Sequence, residues 1–132
     1  MNELHDILRV KLLPLLKAFA NRIEATDSLV KCFIGSSSND SFLFREYLSA
    51  RRSVNGEEIA ITVDATLDLD AIALCADVCM GDGEVLAEGP SALLNLSATP
   101  FERDGELTRW LDNFQEFLSG VEPSVKQRVS VL

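Results

Sequence analysis

A chain of 132 residues, 47% of them hydrophobic and seven of them Phe, is long enough to bury one core and too apolar to be a disordered segment. Its formal net charge of −9 is unevenly spread: residues 53–102 hold ten acidic side chains and no Lys or Arg, and all twelve basic residues lie elsewhere. An acidic middle repels phosphate backbones and anionic lipid, which argues against nucleic-acid and membrane partners and leaves a basic or apolar protein as the favoured kind of partner.

No apolar run approaches the roughly 20 residues that span a bilayer. The opening "MNELHDILRVKLLPLLKAFA" mixes Glu3, Asp6, Arg9 and Lys11 with its leucines. It therefore does not read as a signal peptide, and the expected location is cytoplasmic. The Asn-x-Ser triplets at Asn39 and Asn95 are silent in that compartment. Three cysteines, Cys32, Cys75 and Cys79, are an odd number and are expected as free, buried thiols.

In chain order, residues 3–25 predict a helix. Leu4, Leu8, Leu12, Leu15, Phe19 and Ile23 recur at helical spacing, and Ile7, Leu13, Leu16 and Ala20 widen the apolar face. Pro14 is expected to kink or split it. A face this wide asks for cover on both sides, from a sheet and from a second subunit.

Residues 29–88 change to a twofold period. Asn55-Gly56 within "SVNGEE" is the preferred pair for a two-residue hairpin and separates "FLFREYLSARR" from "EIAITVDATL". In "AIALCADVCM" (residues 71–80) Ile72, Leu74, Ala76, Val78 and Met80 form one face and Ala71, Ala73, Cys75, Asp77 and Cys79 the other. "GDGE" marks the next hairpin, into "EVLAE". "GPSALLNLSATP" reads as a strand, with a short helix as the alternative.

After Pro100 the helical period returns with Leu107, Trp110, Leu111, Phe114 and Leu118. Asp104 is the expected N-cap, Gly120 the expected stop, and "PSVKQRVSVL" a last helical turn. The expected fold is a single α+β domain over residues 1–132. One antiparallel sheet of four to five strands carries an N-terminal and a C-terminal helix on one face.

Pairing Val54 with Glu57 sets Tyr47 opposite Asp64, Ser49 opposite Thr62 and Arg51 opposite Ala60. Pairing Leu67 with Ile72 sets Asp64 opposite Cys75 and Thr62 opposite Asp77. The outer sheet face then presents Arg45, Tyr47, Ser49, Arg51, Thr62, Asp64, Cys75, Asp77 and Cys79. Tyr47, Thr62, Asp64 and Asp77 are its candidate partner-binding residues. No metal is expected at Cys75 and Cys79: residues four apart on a strand lie about 13 Å apart, beyond the reach of one tetrahedral ion or a disulfide.

The acidic pairs Asp68/Asp70 and Asp82/Glu84 fall in turns about 30 Å apart at opposite ends of one strand and cannot form one site. His5, the only histidine, reads as an exposed helix residue. Glu46 points into the core face between Phe44 and Leu48, where a carboxylate needs a partner. Arg52 or a helix residue is the candidate. No phosphate-binding loop, nucleophile elbow or metalloprotease motif occurs, so no catalytic residue and no cofactor is assigned.

These features favour a small acidic, non-enzymatic protein-interaction module, homodimeric and chaperone-like or adaptor-like. In size, acidity and helix–sheet–helix order it is similar to bacterial secretion chaperones. It lacks the helix that usually interrupts that family's strands, and carries no motif specific to them. The alternative is a small-molecule binding protein or enzyme with a pocket between sheet and helices near Glu46, Tyr47 and Asp64.

Overall fold

The computed structural model describes residues 2–39, 42–52 and 56–131, with side chains from residue 4 to 130 of those. The elements run α1 (Asn2–Thr26), β1 (Lys31–Asn39), β2 (Phe42–Arg51), β3 (Ile59–Asp68), β4 (Ala71–Met80), β5 (Val85–Asn95) and α2 (Pro100–Val131). The strands form one antiparallel sheet in the order β1-β2-β3-β4-β5. Short connections between consecutive strands permit only this meander, because each strand must pair with the one it has just left. It is an α+β fold of five strands with a helix from each end of the chain on one face.

Twofold alternation sorts the strands into two faces. Phe44, Leu48, Ile61, Val63, Leu74 and Val78 are buried with Leu8, Leu12, Leu16 and Phe19 of α1 and with Leu107, Trp110, Phe114 and Leu118 of α2 in one cluster. α1 lies over β1 and β2, α2 lies over β5, and the helices touch each other. Arg22 Nε donates to Glu122 Oε1 at 2.5 Å across that helix contact, and Lys126 supports the same carboxyl group at 3.0 Å. Those two cations, Arg22 first, hold the Glu122 carboxyl below its ordinary range.

The wide apolar face of α1 is thus divided between the sheet and α2 of the same chain. Leu4, Ile7 and Leu15 complete the core from its flanks. The reason for placing a second subunit on α1 disappears, since α2 already occupies the side that the sheet leaves open.

Neither proline ends a helix. Pro14 lies within α1, and the carbonyl that loses its partner there belongs to Val10, 72% exposed, so water satisfies it. Pro123 lies within α2, opposite the exposed Ser119, and α2 continues to Val131. Gly120 is not a stop, contrary to the sequence reading. The start of α2 is also earlier than expected. Thr99, not Asp104, is the N-cap: its Oγ1 accepts the Glu102 N–H at 3.2 Å, with Pro100 at the first helical position.

Residues 85–95 form a single strand through Gly89-Pro90. Pairing with β4 slips there, between Cys75 and Asp77, and the strand bulges. Pro90 is tolerated because β5 is an edge. Gly89 is required by closeness: a Cβ there would sit 2.9 Å from both the Ala76 carbonyl oxygen and the Phe117 ring. At the β3–β4 turn, Leu69 has φ 54°, a left-handed conformation that costs a non-glycine residue about 1–2 kcal/mol.

The β3–β4 register is as read from sequence, with Asp64 opposite Cys75 and Thr62 opposite Asp77. The β2–β3 register differs by two residues. Arg45 faces Asp64, Tyr47 faces Thr62 and Ser49 faces Ala60. Arg51 pairs with Lys31 of β1 instead of Ala60. An even slip keeps every residue on its face, so the outer-face set survives while its partners change. The expected Asn55-Gly56 turn involves Asn55, which lies outside the described residues.

Candidate functional site

The face opposite the helices is crossed by no other element among the described residues. Its centre is polar and satisfied. Arg45 grips Asp64 through two hydrogen bonds, Nε to Oδ1 at 2.6 Å and Nη2 to Oδ2 at 2.9 Å, and stacks over Phe42. Thr62 Oγ1 donates to Asp77 Oδ1 at 2.6 Å, and Cys79 Sγ donates to the same oxygen at 3.1 Å. Ser49 donates to Glu58, which also meets Arg51 at 3.4 Å. Tyr47 leans on Phe33 of β1, with ring centroids 6.1 Å apart.

All four candidate residues, Tyr47, Thr62, Asp64 and Asp77, therefore share this face. Thr62 and Asp77 touch each other, and Asp64 is tied to Arg45. Strand pairing placed them there: β2, β3 and β4 each contribute alternate residues. They form a braced platform, with Asp64 and Asp77 half-buried and partnered and Thr62 buried. Asp68, Asp70, Asp82 and Glu84 in the turns form no ion pair among the described residues, nor does Glu88, exposed on β5 opposite Asp77 on this same face.

The sequence reading missed the apolar rim of this platform. Phe33 on β1 is 62% exposed, Leu93 on β5 60%, and Leu69 at the β3–β4 turn 91%. Each occupies an outward or turn position that its residue type disfavours, and that was the available signal. A cleft of about 430 Å³ at the β1 end is lined by Leu29, Lys31, Cys32, Phe33, Ser49, Arg51 and Arg52.

The cysteines are not all buried: Cys75 is exposed, and Cys32 and Cys79 are half-buried. β4 is regular through them, with alternate residues outward, so it keeps Cys75 and Cys79 apart. Among the described residues no three His, Cys, Asp or Glu side chains converge as a metal shell. Burial, then the hydrogen bond to Asp77, pushes the Cys79 thiol up to about 12, and burial with Glu24 nearby pushes Cys32 up to about 11. At pH 8 a thiol at 12 is ionised in about one molecule in 10,000. An alkylating reagent will therefore modify Cys75, the exposed thiol, first and Cys79 much more slowly than a free thiol, the lost thiolate outweighing the greater nucleophilicity of a more basic one. Mass spectrometry of timed samples checks this, and equal labelling of all three in folded protein would contradict it.

Glu46 lies on the other, helix-covered face and is 3% exposed. His5 Nε2 is 2.6 Å from its Oε1, and Ser36 Oγ donates to its Oε2 at 2.7 Å. His5 also stacks on Phe44 at 4.1 Å. His5 is thus a partly buried partner rather than an idle surface residue, and it takes the place considered for Arg52, which binds Asp27 at 3.1 Å. The order of contacts, histidine to carboxylate to serine, is the wrong one for nucleophilic catalysis: the serine gives its proton to the acid, not to the imidazole. The sheet separates Glu46 from Tyr47 and Asp64, so these three do not line one pocket.

No helix among the described residues is long and apolar enough to cross a membrane. No protein-family model, no curated protein and no solved structure matches the chain.

Proposed function

We propose that this chain is a small acidic, non-enzymatic protein-interaction module, homodimeric and cytoplasmic, that receives its partner on the helix-free face of the sheet. The observation that carries the reading is the composition of that face: a hydrogen-bonded centre ringed by Phe33, Leu93 and Leu69, each more than half exposed. The Arg45–Asp64 pair can be covered without leaving either ion unpartnered, and exposed large apolar side chains gain by being covered. Unneutralised carboxylates at the turns favour a basic or apolar partner, with binding that weakens as salt rises. Three unpaired cysteines suit a reducing compartment.

The small-molecule reading retains one observation. A cleft of about 290 Å³ between the helix starts and the sheet is lined by Leu4, Ile7, Ile72 and Leu96, with Arg103 and Asp104 as its charged groups. The Arg103 Nε is buried without a hydrogen-bond partner among the described residues. The site offers apolar walls and one free guanidinium N–H, and none of Glu46, Tyr47 or Asp64 lines it.

The interaction reading is tested by photo-cross-linking in the native host. A photoreactive residue at Phe33 or Leu93 is expected to capture protein, and one at Val10, more exposed still on α1, is not.

A further inference from the structure

We infer that the open sheet face is built to bind a second copy of this chain, through a leucine knob at one end of the sheet and a basic-rimmed apolar cleft at the other. The inference rests on the interaction reading above and names the partner.

The knob is Leu69. It stands in the two-residue turn between β3 and β4 at φ 54°, where glycine would be unstrained, and it is 91% exposed. A turn that only had to reverse the chain gains nothing from leucine there. Backbone strain and full exposure at one apolar residue together point to a side chain held out for contact. Asp68 and Asp70 flank it, and neither meets a cation among the described residues. Leu93 lines one shallow depression with Leu69 and a second with Phe101, which is 87% exposed. The knob is the tip of an apolar strip.

The cleft lies at the opposite end of the strands, about 30 Å away by strand rise. Leu29, 56% exposed, and Phe33 supply its apolar wall. Lys31, Arg51 and Arg52 rim it. Arg51 and Arg52 already carry Glu58 and Asp27, whereas Lys31 meets no carboxylate among the described residues. Acid–leucine–acid at one end thus answers apolar–lysine at the other. The two cannot meet within one molecule.

A twofold axis between two facing sheets, running across the strands, brings each knob over the partner's cleft, so both contacts form at once and the assembly closes as a dimer. Five strands about 4.8 Å apart and about 30 Å long give a face of about 700 Å², close to the roughly 800 Å² per partner of a stable interface. At the polar centre Asp64 is held by Arg45 and Asp77 by Thr62 and Cys79, while Glu88 beside Asp77 forms no ion pair among the described residues and stays in water at the β5 margin of the interface.

The test is light scattering and sedimentation on three proteins. Wild type is expected to dimerise at micromolar concentration. Leu69→Gly, which removes the knob and relieves the turn, and a Lys31→Glu, Phe33→Ala variant, which removes the cleft, are each expected to dissociate at least about tenfold more readily. Mixing the two restores one of the two contacts and is expected to yield heterodimer where each variant alone is monomeric. Unchanged melting of Leu69→Gly excludes misfolding as the cause. A monomeric wild type overturns the proposal while leaving capture of other proteins at Phe33 to judge the interaction reading. A dimer indifferent to both variants, or a mixture without heterodimer, overturns the reciprocal geometry.

Discussion

Replacing Trp110 by Ala will destabilise the protein by about 3–5 kcal/mol, the range for removing a large buried aromatic ring. Trp110 is 2% exposed and stacks on Phe114 with centroids 5.2 Å apart. Its Nε1 donates to the Pro90 carbonyl oxygen at 3.1 Å, at the bulge of β5. The side chain therefore joins α2 to the edge strand by packing and by the one polar atom it must satisfy. Trp110→Phe separates the two contributions: it keeps a ring in place and loses the donor, and should cost less than Ala. Urea unfolding followed by far-UV circular dichroism measures both. A loss below about 1 kcal/mol for the Ala variant would mean that α2 does not hold the fold together.

His5→Ala will cost about 2–3 kcal/mol, because it strips a buried carboxylate of one of its two partners. Ser36 would remain on Glu46 Oε2, at 2.7 Å in the wild type, but Oε1 would face an apolar surround. Exchanging both residues for apolar ones, His5→Leu with Glu46→Leu, should recover most of the loss, since the cost lies in the orphaned charge and not in the absent pair. A double-mutant cycle reads the coupling directly. If the losses of His5→Leu and Glu46→Leu taken singly add up to that of the double variant, His5 and Glu46 are not energetically joined, and the contact between α1 and β2 is packing alone.

Much of this fold was legible because twofold and 3.6-fold periods are local properties. Val63 and Asp64 fall on opposite faces whatever the strands pair with, and Leu8, Leu12 and Leu16 share a stripe before any partner is known. The β3–β4 register was legible as well, because the turn between Asp68 and Ala71 is only two residues long and leaves no freedom. The β2–β3 register was not, since its longer connection allowed a slip of two that preserves every face. Nonlocal contacts were the least accessible. That His5 would reach Glu46, 41 residues away, depends on how α1 lies over β2. That α2 would cover the second side of α1 depends on its length, and Gly120, which costs a helix only about 1 kcal/mol, does not end it. The outer-face residues were found by pattern, but their mutual pairing was not, nor was the apolar rim at Phe33, Leu69 and Leu93.

The helix-free sheet face, and not the helical side, is expected to meet other protein. The direct measurement is site-specific photo-cross-linking in the native host, with the reactive side chain placed at Phe33, at Leu93 or at Val10. These positions are 62%, 60% and 72% exposed, so accessibility alone favours the helix. Discrete cross-linked species are expected from Phe33 and Leu93, weaker when extracts are irradiated at raised salt, and none from Val10. Cross-links from Val10 with none from either sheet position would contradict that expectation.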